Sequence, residues 1–393
     1  MKEKEFQLFR IYIYESPNLR KFFYELLEIL HNENTLLNQC ILLKSWVHGP
    51  HFQLYYQVPI EEHPERVNSR MEELIRKKLS SYEDTYTDEH YEKYGHISER
   101  LAIAERYSGE YLPLKKNHTI EQSTSDLSHI HSVYALDLYK QIEIMKTAFF
   151  ISNYSELSKF NNEQRELLCF KFMIIAADQY EISFGDETYK GTKYGYLSFK
   201  SHYEGFLVQL QNVDAVKKDA ILQKINDRSA IMDQFITEEF SSFVKNVESG
   251  LPDDNLEDFH VLNGWKEMVN ELKERIKIAL DSNEVKLEDY HDIASFLNSS
   301  KEISQFHDEF VKDDAFRSFS QSKGFLTYRL LVNFLYQVFP FLNISPLQKN
   351  KLCKLISENA QNHYDFSWQD LKKLRGDSYE GDDIYQNIGS GKG

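Results

Sequence analysis

Apolar residues recur at two different periods along this 393-residue chain, and the change of period constrains the fold more than any other feature. Near the N-terminus, Phe9, Ile11 and Ile13 alternate with Arg10, Tyr12 and Tyr14, the period of a half-buried strand. Ser16-Pro17 then reads as a helix N-cap and first-turn proline, and Leu19, Phe22, Phe23, Leu26, Leu27 and Leu30 follow at helical spacing. Cys40–Val47 is a β-rich run, His48-Gly49-Pro50 breaks it as a turn, and Phe52, Leu54, Tyr56 and Val58 resume the alternation, so a hairpin is expected. Pro64 opens another helix with Val67, Met71, Leu74, Ile75 and Leu79 inward. The order β-α-β-β-α predicts a small antiparallel sheet with helices on one face.

From about Val133 the pattern becomes mainly helical. Helices are expected at His131–Asn153 and Asn162–Tyr180, and through 202–245, 259–281, 287–312, 325–339 and 346–361. Ser345-Pro346-Leu347-Gln348 supplies the last of these with an N-cap, a first-turn proline and a capping-box glutamine. Residues 81–130, polar and rich in Tyr, His and Ser, read as a long ordered connection or a lid. Glu181–Phe199, with Gly185, Gly191 and Gly195 among aromatics, reads as an irregular or hairpin excursion. Gly376–Gly393 is acidic and Gly-rich and reads as disordered. The expected class is α+β: a sheet region over 1–125, a mainly helical region over 126–375 that carries the chemistry, and a tail over 376–393.

Carboxylates exceed Lys plus Arg by 62 − 46 = 16. A surface that acidic repels phosphate backbones and argues against a nucleic-acid partner, although acidity also serves solubility alone. Met1-Lys2-Glu3-Lys4-Glu5 has charge but no apolar core after it, so no signal peptide is read there. No run reaches the roughly 18 apolar residues of a membrane span. Cys40, Cys169 and Cys353 lie far apart among apolar neighbours and form no C-x-x-C pair. They read as small core residues in a reducing cytoplasm rather than as a disulfide or zinc framework.

Standard signatures for acyl transfer, phosphate cradling, dinucleotide binding and zinc hydrolysis are missing from the sequence. Two groupings stand out instead. In Trp46-Val47-His48-Gly49-Pro50-His51, a strand starting at His51 puts that side chain opposite Phe52 and beside Gln53 and Tyr55. The face is either a polar substrate contact or part of a structural turn, and two histidines without a third ligand do not make a metal site. The second grouping runs from Ser322 to Tyr336. Arg329 and Asn333 share a helix face, Tyr328 lies beside it and Tyr336 three residues beyond, while Leu331, Phe334, Leu335 and Val338 build an apolar side. Polar groups in so apolar a helix need partners or mark a pocket. The plain alternative is an N-cap at Ser322 with an internally satisfied Arg329–Asn333 pair. Ser201-His202-Tyr203-Glu204 and Tyr94-Gly95-His96 are lesser candidates, equally readable as ordinary helix-start or loop histidines.

At these residues the chain resembles a family. "HGPHFQLYY" (48–56) is similar to the Gly-Pro-His strand start of lantibiotic-dehydratase C-terminal domains and thiopeptide-type bacteriocin biosynthesis proteins. "YLPLKKNHTIEQ" (111–122), "SFKSHYEGFL" (198–207) and "YRLLVNFLYQVFPFLNISPLQKNKLCKLI" (328–356) follow in the same order, so the resemblance spans nearly the whole chain through short motifs. Glutamate-elimination domains carry a late His-x-x-x-Asn-Arg helix. Here Arg329, Asn333 and Phe334 occupy those places, so both the His and the Arg are missing. Pyridine synthases carry a Ser and a Tyr six apart leading into a Tyr-Arg-x-x-x-Asn-like helix, the spacing of Ser322 and Tyr328. Asn343–Cys353 also resembles that group, with Lys349 or Asn350 where an Arg is usual.

The resemblance implies an elimination-domain-like fold and a formal four-plus-two cycloaddition of two dehydroalanines that closes a pyridine with loss of water and leader peptide. It implies Tyr328 as proton donor, Ser322 orienting it or the amide, and Arg329 polarising a carbonyl oxygen or assisting elimination. His202 and His51 become secondary proton carriers, with His51, Asn333, Tyr336, Tyr94 and Glu204 as substrate contacts. No cofactor and no metal are required. The implied partner is a leader-core precursor peptide carrying dehydroalanines, with other biosynthetic enzymes alongside and neither membrane nor nucleic acid. The leader can add to the N-terminal sheet as a strand. A split elimination domain and a non-catalytic peptide-binding scaffold remain the competing readings.

Overall fold

The period-two segments at the N-terminus pair into an antiparallel sheet: β1 (Phe6–Tyr12), β2 (Gln39–Ser45) and β3 (His51–Gln57). The computed structural model describes residues 6–14, 16–33, 37, 39–125, 127, 136–183, 193–250, 258–285, 303–312, 320, 322–365 and 367–369. The expected tail over 376–393 and the helical segments at 131–135 and 287–302 lie outside the described residues.

The described chain divides into two compact units, 1–159 and 160–393. In the first, β1 leads into α1 (Ser16–Asn32), and the β2–β3 hairpin leads into α2 (Pro64–Leu79). The sheet order is β2-β3-β1-β4, with every neighbouring pair antiparallel, a split β-α-β arrangement. The apolar faces anticipated for α1 and α2 are buried: Phe22, Phe23, Leu26 and Leu27, and Val67, Met71 and Ile75. Phe23 stacks on Phe52 at 5.9 Å and meets Phe150 edge-on at 5.5 Å. Phe150 belongs to α4 (Leu136–Leu157), which packs on β2 and α1. That packing puts the division at 159/160 rather than at 125/126.

Residues 81–130 are a second departure. Their described part holds α3 (Asp88–Glu105) and the edge strand β4 (Ile120–Ser125), joined by turns and irregular chain over 106–119. The α3 start is fixed by the Thr87 N–H donating to His90 Nδ1 at 3.1 Å, and its end by Arg106 in the left-handed conformation.

The second unit is helical among its described residues: α5 (Asn162–Ser183), α6 (Tyr194–Gln209), α7 (Ala215–Asn226), α8 (Ala230–Gln234), α9 (Phe240–Glu248), α10 (Phe259–Asp281), α11 (Gln305–Val311), α12 (Lys323–Val338) and α13 (Pro346–His363). A π-helical turn, Phe235–Glu239, joins α8 to α9. The helical stretch expected at 202–245 is thus several helices, because Asp214 and Ser229 cap new starts with their side chains. Tyr194–Phe199 is helical rather than irregular. Gly195 makes this possible: a Cβ there would stand 2.2 Å from the Ala177 carbonyl oxygen, so only glycine lets α6 approach α5 so closely. Trp265 of α10 is fully buried between Phe172 and Phe334, and its Nε1–H donates to the Phe172 carbonyl at 3.1 Å. The stretch Lys323–Leu342 is long and apolar enough to cross a membrane, yet it is mostly buried in this unit's own core.

Candidate functional site

α12 enters the core with ten buried side chains, including Leu331, Phe334, Leu335 and Val338, the apolar face expected of it. Tyr328 is among them, only 2% exposed. A buried phenol needs a hydrogen-bond partner. Its hydroxyl donates to the Gly195 carbonyl on α6 at 2.7 Å and stands 3.1 Å from Ser198 Oγ. Ser198 Oγ also donates to the Gly195 carbonyl, at 2.7 Å. The Tyr328 ring meets the edge of Tyr180 at 4.7 Å.

Between these two helices lies a cavity of about 250 Å³. Ser198, Ser201 and His202 of α6 form one wall; Phe325, Tyr328, Arg329, Val332 and Asn333 of α12 form the other. Tyr328, Arg329, Asn333 and His202, singled out from the sequence, are therefore brought together. Burial first, then the charges of Lys349, His307 and Arg329, pull the His202 pKa down to about 3. At neutral pH its imidazole is uncharged and offers hydrogen bonds rather than a spare proton. Its ring stands edge-on to Tyr336 at 5.0 Å. Tyr336 lies behind the wall: its hydroxyl is 3.4 Å from Cys353 Sγ, Lys349 Nζ sits 4.7 Å from its ring centre, and burial drives its pKa well up.

The other sequence candidates stand elsewhere. Ser322 is the α12 N-cap, its Oγ accepting the Phe325 N–H at 3.1 Å, and does not line the cavity. Ser198 holds the place beside Tyr328 that Ser322 was expected to hold. Glu204 pairs with Lys200 at 2.6 Å. In the first unit, His51 does begin β3, but it is buried. Its Nδ1–H donates to the Gly49 carbonyl at 2.9 Å, its Nε2 accepts from the Gln53 amide at 3.1 Å, and its ring lies 4.6 Å from that of Tyr12. Burial lowers its pKa to about 4. Tyr94 packs edge-on to Tyr14 at 5.2 Å, and burial raises its pKa to about 12. Among the described residues, no three His, Cys, Asp or Glu side chains are grouped to hold a metal ion.

Ser198 escaped the sequence reading, and Ser201 entered it only within the lesser candidate Ser201–Glu204. Their signal was present: Ser198, Ser201 and His202 fall at i, i+3 and i+4 on one helix face. It was obscured because this stretch did not read as helix.

No protein-family model and no curated protein matches the chain. Solved structures do. The fold is similar to "Pyridine synthase, TbtD, from thiomuracin biosynthesis", with a TM-score of 0.63 and 16% identity over 91% of this chain and 98% of that one. It is also similar to the crystal structure of TsrL, with a TM-score of 0.59 and 14% identity over 95% of this chain and 98% of that one. The chain thus has a thiopeptide-pyridine-synthase-like fold, α+β and mainly helical.

Proposed function

We propose that this chain is a cofactor-independent cytoplasmic enzyme of thiopeptide-type biosynthesis, a pyridine synthase joining two dehydroalanines of a leader-bearing peptide. The observation that carries the reading is Tyr328 at a cavity wall, its hydroxyl beside Ser198 and its neighbour Arg329 on the same wall, in a chain whose fold is similar to that of a pyridine synthase.

The chemistry asks for positioning and proton movement. One amide tautomerises to an iminol, making a 2-azadiene that closes on the second alkene. The former amide carbon then loses its hydroxyl as water, and the leader departs as an amide as the ring aromatises. Tyr328 supplies the proton to the amide oxygen. Its hydroxyl can turn from the Gly195 carbonyl at small cost, because Ser198 Oγ–H continues to satisfy that carbonyl. Arg329 polarises the same oxygen and Asn333 offers an amide to the peptide backbone. Holding the two alkenes together supplies effective molarity.

The leader binds apart from the chemistry, by adding to the sheet. Of the two edge strands among the described residues, β2 has its Leu42 N–H already given to Thr147 Oγ1 of α4 at 2.9 Å. β4 is therefore the edge assigned to the leader. Tyr328→Phe is expected to lower kcat about 10²- to 10⁴-fold with peptide binding intact. Equal loss of binding and turnover in that variant would contradict the assignment.

A further inference from the structure

Beside Tyr328 the cavity wall carries a second hydroxyl with a built-in proton acceptor. Ser201 lines the cavity from α6, and its Oγ lies 2.8 Å from Nε2 of His307 on α11. His307 is 8% exposed, and its Nδ1 is held 3.1 Å from Ser304 Oγ. Ser304 is itself the α11 N-cap and accepts the His307 backbone N–H at 3.3 Å. A hydroxyl, an imidazole within hydrogen-bond reach and a third group fixing the far ring nitrogen form the arrangement by which proteins activate a hydroxyl. The charged groups around it are the Lys200–Glu204 pair, Glu204 favouring and Lys200 opposing protonation of His307, while burial keeps the imidazole neutral at rest. A purely structural histidine also satisfies both ring nitrogens. What sets this one apart is that its partner, Ser201, lines the same cavity as Tyr328.

We propose that Ser201 and His307 form the second proton-handling pair of this cavity, taking the N–H proton of the amide whose oxygen Tyr328 protonates; this rests on the pyridine-synthase reading. Tautomerisation breaks an N–H bond and makes an O–H bond, so it needs an acceptor as well as a donor. The amide N–H proton passes to Ser201 Oγ as the Ser201 proton passes to His307 Nε2, while the Tyr328 O–H proton goes to the carbonyl oxygen. After ring closure, His307 returns its proton through Ser201 to the departing hydroxyl, which leaves as water. The Tyr328 phenolate removes a proton from a ring methylene. Both groups end as they began, and the atoms lost are those of one water. The burial that disfavours imidazolium suits a proton held only in passing. Ser201 is then a catalytic residue and His307 a positioning residue acting through it.

The test compares the full-length wild type with Ser201→Ala, Ser201→Thr and His307→Gln on a leader-bearing peptide with two dehydroalanines, following products by mass. Ser201→Ala and His307→Gln are expected to lose about 10²- to 10⁴-fold in kcat with KM within about threefold. Ser201→Thr, which keeps a hydroxyl, recovers most of that loss. Gln preserves a hydrogen bond to Ser201 but cannot take up a proton, so a merely structural His307 would let it keep its kcat. Circular dichroism accompanies each variant. If His307→Gln does not fold, Ser201→Ala against Ser201→Thr at the cavity wall decides. An active wild type with Ser201→Ala within about threefold of it in kcat, or equal losses in the Ala and Thr variants, overturns the pair. A wild type that leaves the peptide unchanged overturns the pyridine-synthase reading itself, a separate result.

Discussion

Tyr328 shows how little of a residue's role lies in its own neighbourhood of the chain. Its helix face, with Arg329 and Asn333, was legible from spacing. Its partners were not, because Ser198 lies 130 residues away, as Ser201 lies 106 residues from His307. Ser322 had the expected spacing but performs the commoner task of capping. Tyr328→Phe is expected to cost only about 1 kcal/mol of stability, since Ser198 still donates to the Gly195 carbonyl. Chemical denaturation checks this, and a loss several times larger would mean the hydroxyl is chiefly structural. Two histidines with lowered pKa values set a pH window. His51 at about 4 and His202 at about 3 stay neutral in the fold, while the unfolded chain protonates both near the ordinary 6.5. The stability they contribute is present above pH 6.5 and is lost as pH falls toward those folded values. For His51 the loss approaches roughly 3 kcal/mol at the acid end. Asp178 opposes them: burial raises its pKa to about 6, so its penalty at neutral pH is relieved as pH falls. The melting temperature is expected to drop between pH 6.5 and 4, and less steeply in His51→Gln; an unchanged slope in that variant would contradict the His51 assignment.

At the scale of elements, strong periodicity was read correctly and weak periodicity was not. β1, the β2–β3 hairpin, α1, α2 and α12 all announced themselves by buried apolar faces. β4 has one apolar residue in Ile120-Glu121-Gln122-Ser123-Thr124-Ser125, because an edge strand is held by backbone pairing to β1 rather than by a buried face. Among the described side chains of α3, only Ser98 and Ala102 are buried, so its polar sequence resembled a loop. α6 was masked by its glycine, which serves helix packing rather than a turn. Gly195→Ala is expected to cost about 1–3 kcal/mol by forcing α6 off Ala177, and to lower turnover by shifting the carbonyl that holds Tyr328. A fully stable and active variant would show that α5 and α6 are not so closely opposed. Thr147→Val is expected to cost about 1–3 kcal/mol by orphaning the Leu42 N–H at the β2 edge, measured by urea unfolding. A neutral result would mean that this N–H reaches water.

For the molecule as a whole, the sequence placed a small sheet before a helical region, and that α+β, mainly helical architecture is similar to the fold of a solved pyridine synthase. α4 has a helical period like the second unit but packs on β2 and α1 within the first, which periodicity alone does not reveal. The proposed reaction is assigned to the cavity between α6 and α12, so the most direct measurement is the mass spectrum of the intact chain's products from a leader-bearing peptide with two dehydroalanines. The predicted result is a cyclised product lacking water and the leader, with new pyridine absorbance. An unchanged linear peptide, together with loss of glutamate from a glutamylated peptide in a parallel sample, would contradict it.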